Sequence, residues 1–274
     1  MTFSHTFVIC AFGESEYLET CIRSLQKQTT PSTILMTAPC SNPLLTAMAE
    51  KYNIPLYIRG GEANFRDDWN FAYQAAETEW VTLAHQDDIY RRRYTEALRE
   101  KIRQAGREAG TEALAFTTDY IPIRNGKAGP RDKNSRIRRL LRTPLKNSRM
   151  AESPFWKKAV LSCGNSICCP TVAYHKKILE EPLFTSDLRF NIDWDTFLDL
   201  ARRPGRILYA DQPLVYYRVY AGAASMRYIA SHQREEEDRI MFRKFWPAWM
   251  VPVLMHFYKK AYDTYRITAG GQDP

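Results

Sequence analysis

Residues 6–85 alternate between two hydrophobic periods, and this alternation constrains the fold more than any other feature. "TFVICAF" (6–12), "STILMTA" (32–38), "IPLYIR" (54–59) and "WVTLAH" (80–85) are short, apolar and rich in β-branched residues. Runs of that kind predict strands buried on both faces of a parallel sheet. Between them lie "GESEYLETCIRSLQKQ" (13–28), "NPLLTAMAEKYN" (42–53) and "RDDWNFAYQAAETE" (66–79). In the first, Tyr17, Leu18, Cys21, Ile22 and Leu25 recur at helical spacing, so a helix is expected directly after the first strand. Asn42 predicts an N-cap, with Pro43 at the first helical position. The order β-α-β-α-β-α-β requires helices on the faces of a parallel sheet. Right-handed crossovers then put every carboxyl strand end on one edge.

The rest of the chain is less regular. "YTEALREKIRQAGREAG" (94–110) and "WDTFLDLARR" (194–203) predict helices, and "ALAFTTDYIPI" (113–123) predicts a strand. "GNSICCPTVAYHKK" (164–177) reads as a strand entering a helix, and "GRILYADQPLVYYRV" (205–219) as a strand and its continuation. The tail from 232 to 266 predicts helix, broken near Pro247 and Pro252. A net charge of +8 suggests an anionic partner. Much of it sits in "RDKNSRIRRLLRTPLKNSRM" (131–150), too long for an ordinary loop, although basic runs are commonly solvated faces. No run of about 18 apolar residues predicts a membrane-spanning helix. "MTFSHTFVIC" has no basic lead or long apolar stretch, so no signal peptide is expected. Six cysteines, none in a CxxC pair, read as reduced thiols of a cytoplasmic protein.

Three places could carry chemistry. The loop after the first strand holds Phe12 and Glu14, at the edge where doubly wound sheets bind ligands. It has neither GxGxxG nor GxxxxGK[ST]. A nucleotide base could stack on Phe12; alternatively Phe12 is core and Glu14 favours a helix N-terminus. The fourth strand ends on His85, Gln86, Asp87 and Asp88 without a glycine or proline. Adjacent carboxylates repel, so a divalent cation such as Mg²⁺ or Mn²⁺ is the expected counter-charge; the alternative is that the pair opens the next helix. The third place is "FNIDWDTFLDL" (190–200), where Asp193 or Asp195 could serve as a general base or Asp193 as an N-cap.

Taken in order, these segments resemble a bacterial family 2 glycosyltransferase of GT-A fold. "FVICAFGESEYLETCIRSLQKQT" is similar to the family's opening strand and helix, and "DDWNFAYQAAETEWVTLAHQDDIY" to its DxD segment. "NIDWDTFLDLARRPGRILYADQPLVYYRV" is similar to its later acidic segment ending in "YR". The resemblance spans residues 6 to about 226. It implies an inverting, metal-dependent transfer from a nucleotide-diphosphate sugar to a glycan or lipid-linked acceptor in bacterial surface polysaccharide synthesis. It implies a Rossmann-like, mostly parallel sheet flanked by helices over 1–226, with a nucleotide-sugar half (1–125), an acceptor half (126–226) containing the basic insertion, and a helical tail (227–274). Carried over, Phe12 and Glu14 match the nucleotide loop, His85 and Asp87 the first and last places of DxD, and Asp88 the adjacent acid. Asp193 takes the place of the catalytic base. Ser41, Arg66 and Asn70 are further expected nucleotide-sugar contacts, Asn42 shares that role with Ser41, and Asp119 is a candidate near the acceptor. His85 departs from the usual Asp. "TAPCSNP" (37–43) lacks the usual acid after the second strand, and Tyr220 stands where a histidine often follows "YR".

A nucleotidyltransferase would need a glycine-rich, basic loop after the first strand, which "AFGESEYLE" lacks. A non-catalytic nucleotide- or glycan-binding relative stays open through His85 and Tyr220. No nucleic-acid motif accompanies the charge, so nucleic acid is not an expected partner. Ile137, Leu140 and Leu141 among arginines, and the tail cluster around Phe245, Trp246, Trp249 and Phe257, suit a membrane interface. An anionic membrane is therefore a further expected partner, with the protein peripheral on its inner face; alternatively the tail packs on the domain.

Overall fold

The computed structural model describes residues 3–108, 112–129, 132–220, 222–223, 228, 232–260 and 262. The expected alternation appears as β1 (His5–Cys10), α1 (Leu18–Gln26), β2 (Thr33–Ala38), α2 (Pro43–Tyr52), β3 (Leu56–Ile58), α3 (Phe65–Ala75) and β4 (Trp80–His85). Strand β1 lies between β2 and β4, parallel to both, and β3 continues the sheet parallel to β2. Side chains alternate across the strands. Phe7 and Ile9 pack under Leu18, Ile22 and Leu25 of α1. Val8 packs with Trp69 and Tyr73 of α3 on the other face. Asn42 caps α2 as expected, accepting from the Leu45 N–H at 2.9 Å with Pro43 in the first turn.

The chain continues through β5 (Ile89–Tyr90), α4 (Tyr94–Arg107), β6 (Ala113–Arg124), β7 (Lys127–Ala128), α5 (Lys133–Leu141), α6 (Ser148–Glu152), α7 (Pro154–Ser162), β8 (Ala173–His175), α8 (Ile192–Arg202), β9 (Arg206–Val219), α9 (Gln233–Arg243) and α10 (Val251–Tyr258). The strand order is β3-β2-β1-β4-β8-β6-β9-β5, with β7 hanging on β6. Strand β8 runs antiparallel to both β4 and β6, and so joins the parallel β3-β2-β1-β4 sheet to the parallel β6–β9 pair.

Local expectations are corrected at several points. Helix α1 starts at Leu18, not directly after β1. Gly13 has φ +61, a left-handed conformation that turns the chain and leaves 12–17 as a loop. No helix follows β8. One turn closes at His175, and Pro182, two residues after Glu180, disfavours helical backbone before it. Pro252 does not break a helix; it sits in the first turn of α10, where no N–H is needed. The Asp87–Asp88 pair does not open a helix either, because the chain turns there into β5 and α4 begins only at Tyr94.

The basic segment is largely helical; Lys133, Arg136, Lys146 and Arg149 stay exposed, while Arg139 and Arg142 turn toward carboxylates of the domain. Asp132 caps α5, accepting from the Ser135 N–H at 2.7 Å. Arg139 makes a bidentate pair with Asp211 at 2.7 and 2.9 Å, and Arg142 reaches Asp119 at 2.7 Å. The tail belongs partly to the core: Trp194 packs edge-on against Phe242 and stacks near Phe245, and the Trp246 indole N–H donates to the Ser162 carbonyl at 2.7 Å. The expected boundary at 226/227 lies outside the described residues. Among those described, no helix is long and apolar enough to cross a membrane.

Candidate active site

A cleft of about 910 Å³ opens at the carboxyl edge of β1, β2 and β4. Phe12, Glu14, His85, Asp87 and Asp193 all line it, although more than 180 residues separate the first from the last. Ser41, Arg66 and Asn70 are not among its lining residues. Arg66 pairs with Asp67 and Asp187, each at 3.3 Å. Asn70 spends its amide on one backbone unit, donating to the Phe184 carbonyl at 2.8 Å and accepting from its N–H at 2.9 Å. Ser41 is exposed; its neighbour Asn42 donates to the Gly13 carbonyl at 2.9 Å and so braces the loop after β1 from behind.

That loop is also held from the front. The Phe12 N–H donates to the Gln86 side-chain oxygen at 3.1 Å, and the Gln86 amide donates back to the Phe12 carbonyl at 2.8 Å. The Phe12 ring is left 52% exposed at the cleft mouth. Gln86 sits between His85 and Asp87, so one side chain ties the first loop to the acidic turn. Its sequence position is the variable middle of the motif, which carries no signal. No acid follows β2, but one on α3 reaches the cleft. Asp68 lines the cleft, held by the Arg59 guanidinium at 2.8 Å and the Asn64 N–H at 3.0 Å.

The acidic turn is shaped like a cation site. One donor atom each from His85, Asp87 and Asp88 lies within 4.8 Å of the others. Asp88 is buried; one oxygen accepts from the Arg218 N–H at 2.8 Å and the other, Oδ2, has no hydrogen-bond partner. The buried His85 Nε2 has none either. Burial holds His85 below the usual imidazole range, which keeps a lone pair free. Burial and then the Asp87 charge push Asp88 well above the usual carboxylate range. Orphaned buried donors with one imidazole and two carboxylates fit a divalent metal. Tyr220, in the place of the expected histidine, hydrogen-bonds Asp87, and its ring packs edge-on against Tyr17 at 5.2 Å.

On the opposite side, Asp193 occupies the first turn of α8. Its Oδ1 accepts from the Trp194 N–H at 2.7 Å, and its Oδ2 accepts from the Asn165 amide at 2.9 Å. Burial raises its pKa to about 6, against the opposing pull of those two hydrogen bonds and of Arg138 and Arg234. A partly buried carboxylate poised near neutrality can accept a proton from a hydroxyl. Asn165, Arg138 and Arg234 line the cleft beside it, and sequence spacing offers no sign of any of them.

The architecture is that of a GT-A glycosyltransferase. Residues 1–349 of S. aureus TarS in complex with UDP-GlcNAc share it at TM-score 0.63 and 17% identity, over 98% of this chain and 75% of that one. The mannosyltransferase PcManGT from Pyrobaculum calidifontis, in complex with GDP-Man and Mn²⁺, matches at TM-score 0.61 and 14% identity, over 94% and 69%. Glucosyl-3-phosphoglycerate synthase from Mycobacterium tuberculosis, with Mn²⁺, UDP and glucosyl-3-phosphoglycerate, matches at 0.53 and 11%, over 85% and 76%. The chain belongs to glycosyl transferase family 2, whose model matches residues 6–168. Among curated proteins nothing matches significantly.

Proposed function

We propose that the protein is an inverting glycosyltransferase that moves a sugar from a nucleotide-diphosphate sugar to a hydroxyl of a glycan or lipid-linked acceptor in bacterial surface polysaccharide synthesis. The observation that carries this reading is the convergence of the Phe12–Glu14 loop, the acidic turn and Asp193 on one cleft. Its volume lies at the large end for ligand sites, room for a donor and an acceptor together. The UDP-GlcNAc, GDP-Man and UDP complexes of the similar structures support the donor class.

In this mechanism Phe12 offers its exposed ring to the base, and the Gln86 clamp fixes the loop that carries it. Asp193 takes the proton of the acceptor hydroxyl as its oxygen bonds to the anomeric carbon, while the bond from that carbon to the diphosphate breaks on the opposite side. Asn165 aims the Asp193 carboxylate, whose partly buried position raises its basicity. His85, Asp87 and Asp88 would hold Mn²⁺ or Mg²⁺, which when bound neutralises the departing diphosphate. Calorimetric titration with UDP, GDP, CMP and dTDP, in Mn²⁺, Mg²⁺ or EDTA, tests the donor side. Binding of one nucleotide only with metal, weakened at least tenfold in Asp87→Ala, is expected; no binding under any condition refutes the reading.

A peripheral membrane role is the second element of the proposal. Leu140 (71% exposed) and Phe155 (70% exposed) face solvent near the exposed Arg136 and Lys158, and Trp249 is 75% exposed. Apolar side chains set among cations suit an anionic lipid surface. In flotation, at least twofold more protein should rise with anionic than with neutral liposomes, and Leu140→Ser with Phe155→Ser should abolish the difference. Equal recovery from both liposomes argues against membrane contact.

A further inference from the structure

Asp193 and Asn165 stand on two separate segments, and the C-terminal helices grip both. Asn191 sits at the start of α8, two residues before Asp193. An asparagine there usually turns its side chain back to cap the helix. No such cap forms, and its amide donates instead to Asp238 of α9 at 2.8 Å. The neighbouring Glu237 is buried and accepts from three successive backbone N–H groups, that of Arg189 at 2.9 Å and those of Phe190 and Asn191 at 2.8 Å each. Just past α9, Lys244 donates to Asp195 Oδ1 at 2.5 Å, and the other oxygen of that carboxylate accepts from the Ser186 hydroxyl at 2.7 Å.

The segment that leads to Asn165 is gripped as well. The Trp246 indole N–H holds the Ser162 carbonyl. Two residues on, Gly164 has φ +131, and the Tyr258 ring of α10 fills the place that a Cβ would take. A side chain there would meet both the ring and a backbone conformation that only glycine adopts readily. Asn165 follows directly.

Burial of Met241, Phe242, Val251 and Met255 already draws α9 and α10 onto the domain. That attraction has no direction, so it does not explain a buried carboxylate wrapped by the backbone that precedes the base. Charge-assisted hydrogen bonds fix position. Glu237 and Asp238 fix the Asp193 side, and Trp246 and Tyr258 the Asn165 side, of a contact that is 2.9 Å long. A shift of about 1 Å at a catalytic group can cost about a hundredfold in rate.

We propose that the C-terminal helices are part of the catalytic apparatus, with Glu237 and Tyr258 as positioning residues that keep Asp193 and Asn165 in register for proton transfer. This rests on the glycosyltransferase reading above, which makes Asp193 the base. The family model matches residues 6–168 and so gives these helices no role of its own.

The test is the carboxyl titration of Asp193, followed by NMR in protein carrying isotope-labelled aspartate, with Asp193→Asn assigning the resonance. In Glu237→Gln the side-chain oxygen can still accept from Phe190 and Asn191, whereas Glu237→Ala keeps no acceptor. Both variants lose the charge, and Arg138 and Arg234 act on Asp193 in both, so they differ in position alone. Asn165 stabilises the ionised carboxylate, so Asp193 should titrate about one pH unit higher in Glu237→Ala than in Glu237→Gln. Adding Asn165→Ala to each should erase that difference, which a general loosening of the fold would leave in place. Tyr258→Leu keeps apolar bulk at a half-buried position and should raise the titration in the same direction. It decides the matter alone if thermal melting shows Glu237→Ala to be unfolded. Coincident or reversed titrations, or a difference that survives Asn165→Ala, overturn the proposal. Nucleoside diphosphate affinity, measured on the same samples, should stay within about twofold of the parent, since sites that share no partners act independently. Affinity lost in the variants alone would mean a damaged cleft and counts against the proposal. Normal affinity with coincident titrations removes only the role of the tail. Absence of binding in every sample, the parent included, removes the transferase reading itself.

Discussion

Asp193→Asn should lower the turnover of sugar transfer by about 100- to 10,000-fold while leaving nucleoside diphosphate affinity unchanged, the range expected for loss of a general base. The amide keeps the shape and can still accept from the Trp194 N–H, so the loss is of proton affinity and not of structure. The pH profile supplies the second signature. Asp193 works as a base only when ionised, and its pKa is about 6. The rate should therefore be full above that value and fall tenfold per pH unit below it. Asn165 stabilises the ionised form, so Asn165→Ala should move this acid limb upward by about one pH unit or more, since a hydrogen bond to a charge is worth roughly 1.5–3 kcal/mol. Stability should move the other way. A carboxyl whose folded pKa lies above its unfolded value of 3.8 favours the folded state at low pH, and this contribution is lost as pH rises through about 6. At pH 8 the native protein therefore carries a strained carboxylate at a cost on the order of 3 kcal/mol. Asp193→Asn removes it, and should melt several degrees higher than the parent while being nearly inactive. An inactive variant that melts lower would show only a damaged fold, and an active one would rule out Asp193 as the base.

The parallel half of the molecule was legible because its information is local. Strand runs of period 2 and the helix after each are fixed by neighbours a few residues away, and Asn42 with Pro43 marks a helix start without tertiary help. The strand within 164–177 is present as β8, but the helix expected after it is not, because the chain only turns once at His175 before Pro182. Within the cleft, Phe12, His85 and Asp87 stood out since strand ends on a parallel sheet must share an edge. Gln86, Asn165 and Arg138 did not, because each acts on a group that the fold brings close only in three dimensions: Gln86 on the Phe12 backbone, the other two on Asp193. Asp119 shows the reverse case. Its position at a strand end suggested the acceptor, but a register shift in β6 turns it inward, fully buried, toward the basic segment.

Asp119→Ala should therefore destabilise the fold by about 3–5 kcal/mol, the cost of stranding one member of a buried ion pair. Asp119 and Arg142 are each 0% exposed. Arg142 donates from Nη2 to Asp119 Oδ1 at 2.7 Å and from Nη1 to the Ser166 carbonyl, and its guanidinium lies 5.4 Å from the Tyr209 ring centre. With the carboxylate gone, a guanidinium that cannot deprotonate remains in a site closed to water. Against a total stability of about 5–15 kcal/mol, that loss would leave a sizeable unfolded fraction on warming. The effect should reach the cleft, because Ser166 adjoins Asn165, the residue that aims Asp193. Residual activity should fall more than the unfolded fraction explains. The double variant Asp119→Leu with Arg142→Met removes both charges at similar volume, and should recover most of the stability, since well-packed apolar replacements of buried pairs are often neutral or better. Urea unfolding of the parent, both single variants and the double variant closes the cycle. A single Asp119→Ala change costing under about 1 kcal/mol would mean that water or Asp211 has taken over the guanidinium, and that the basic segment is held by its exposed pairs and not by this one.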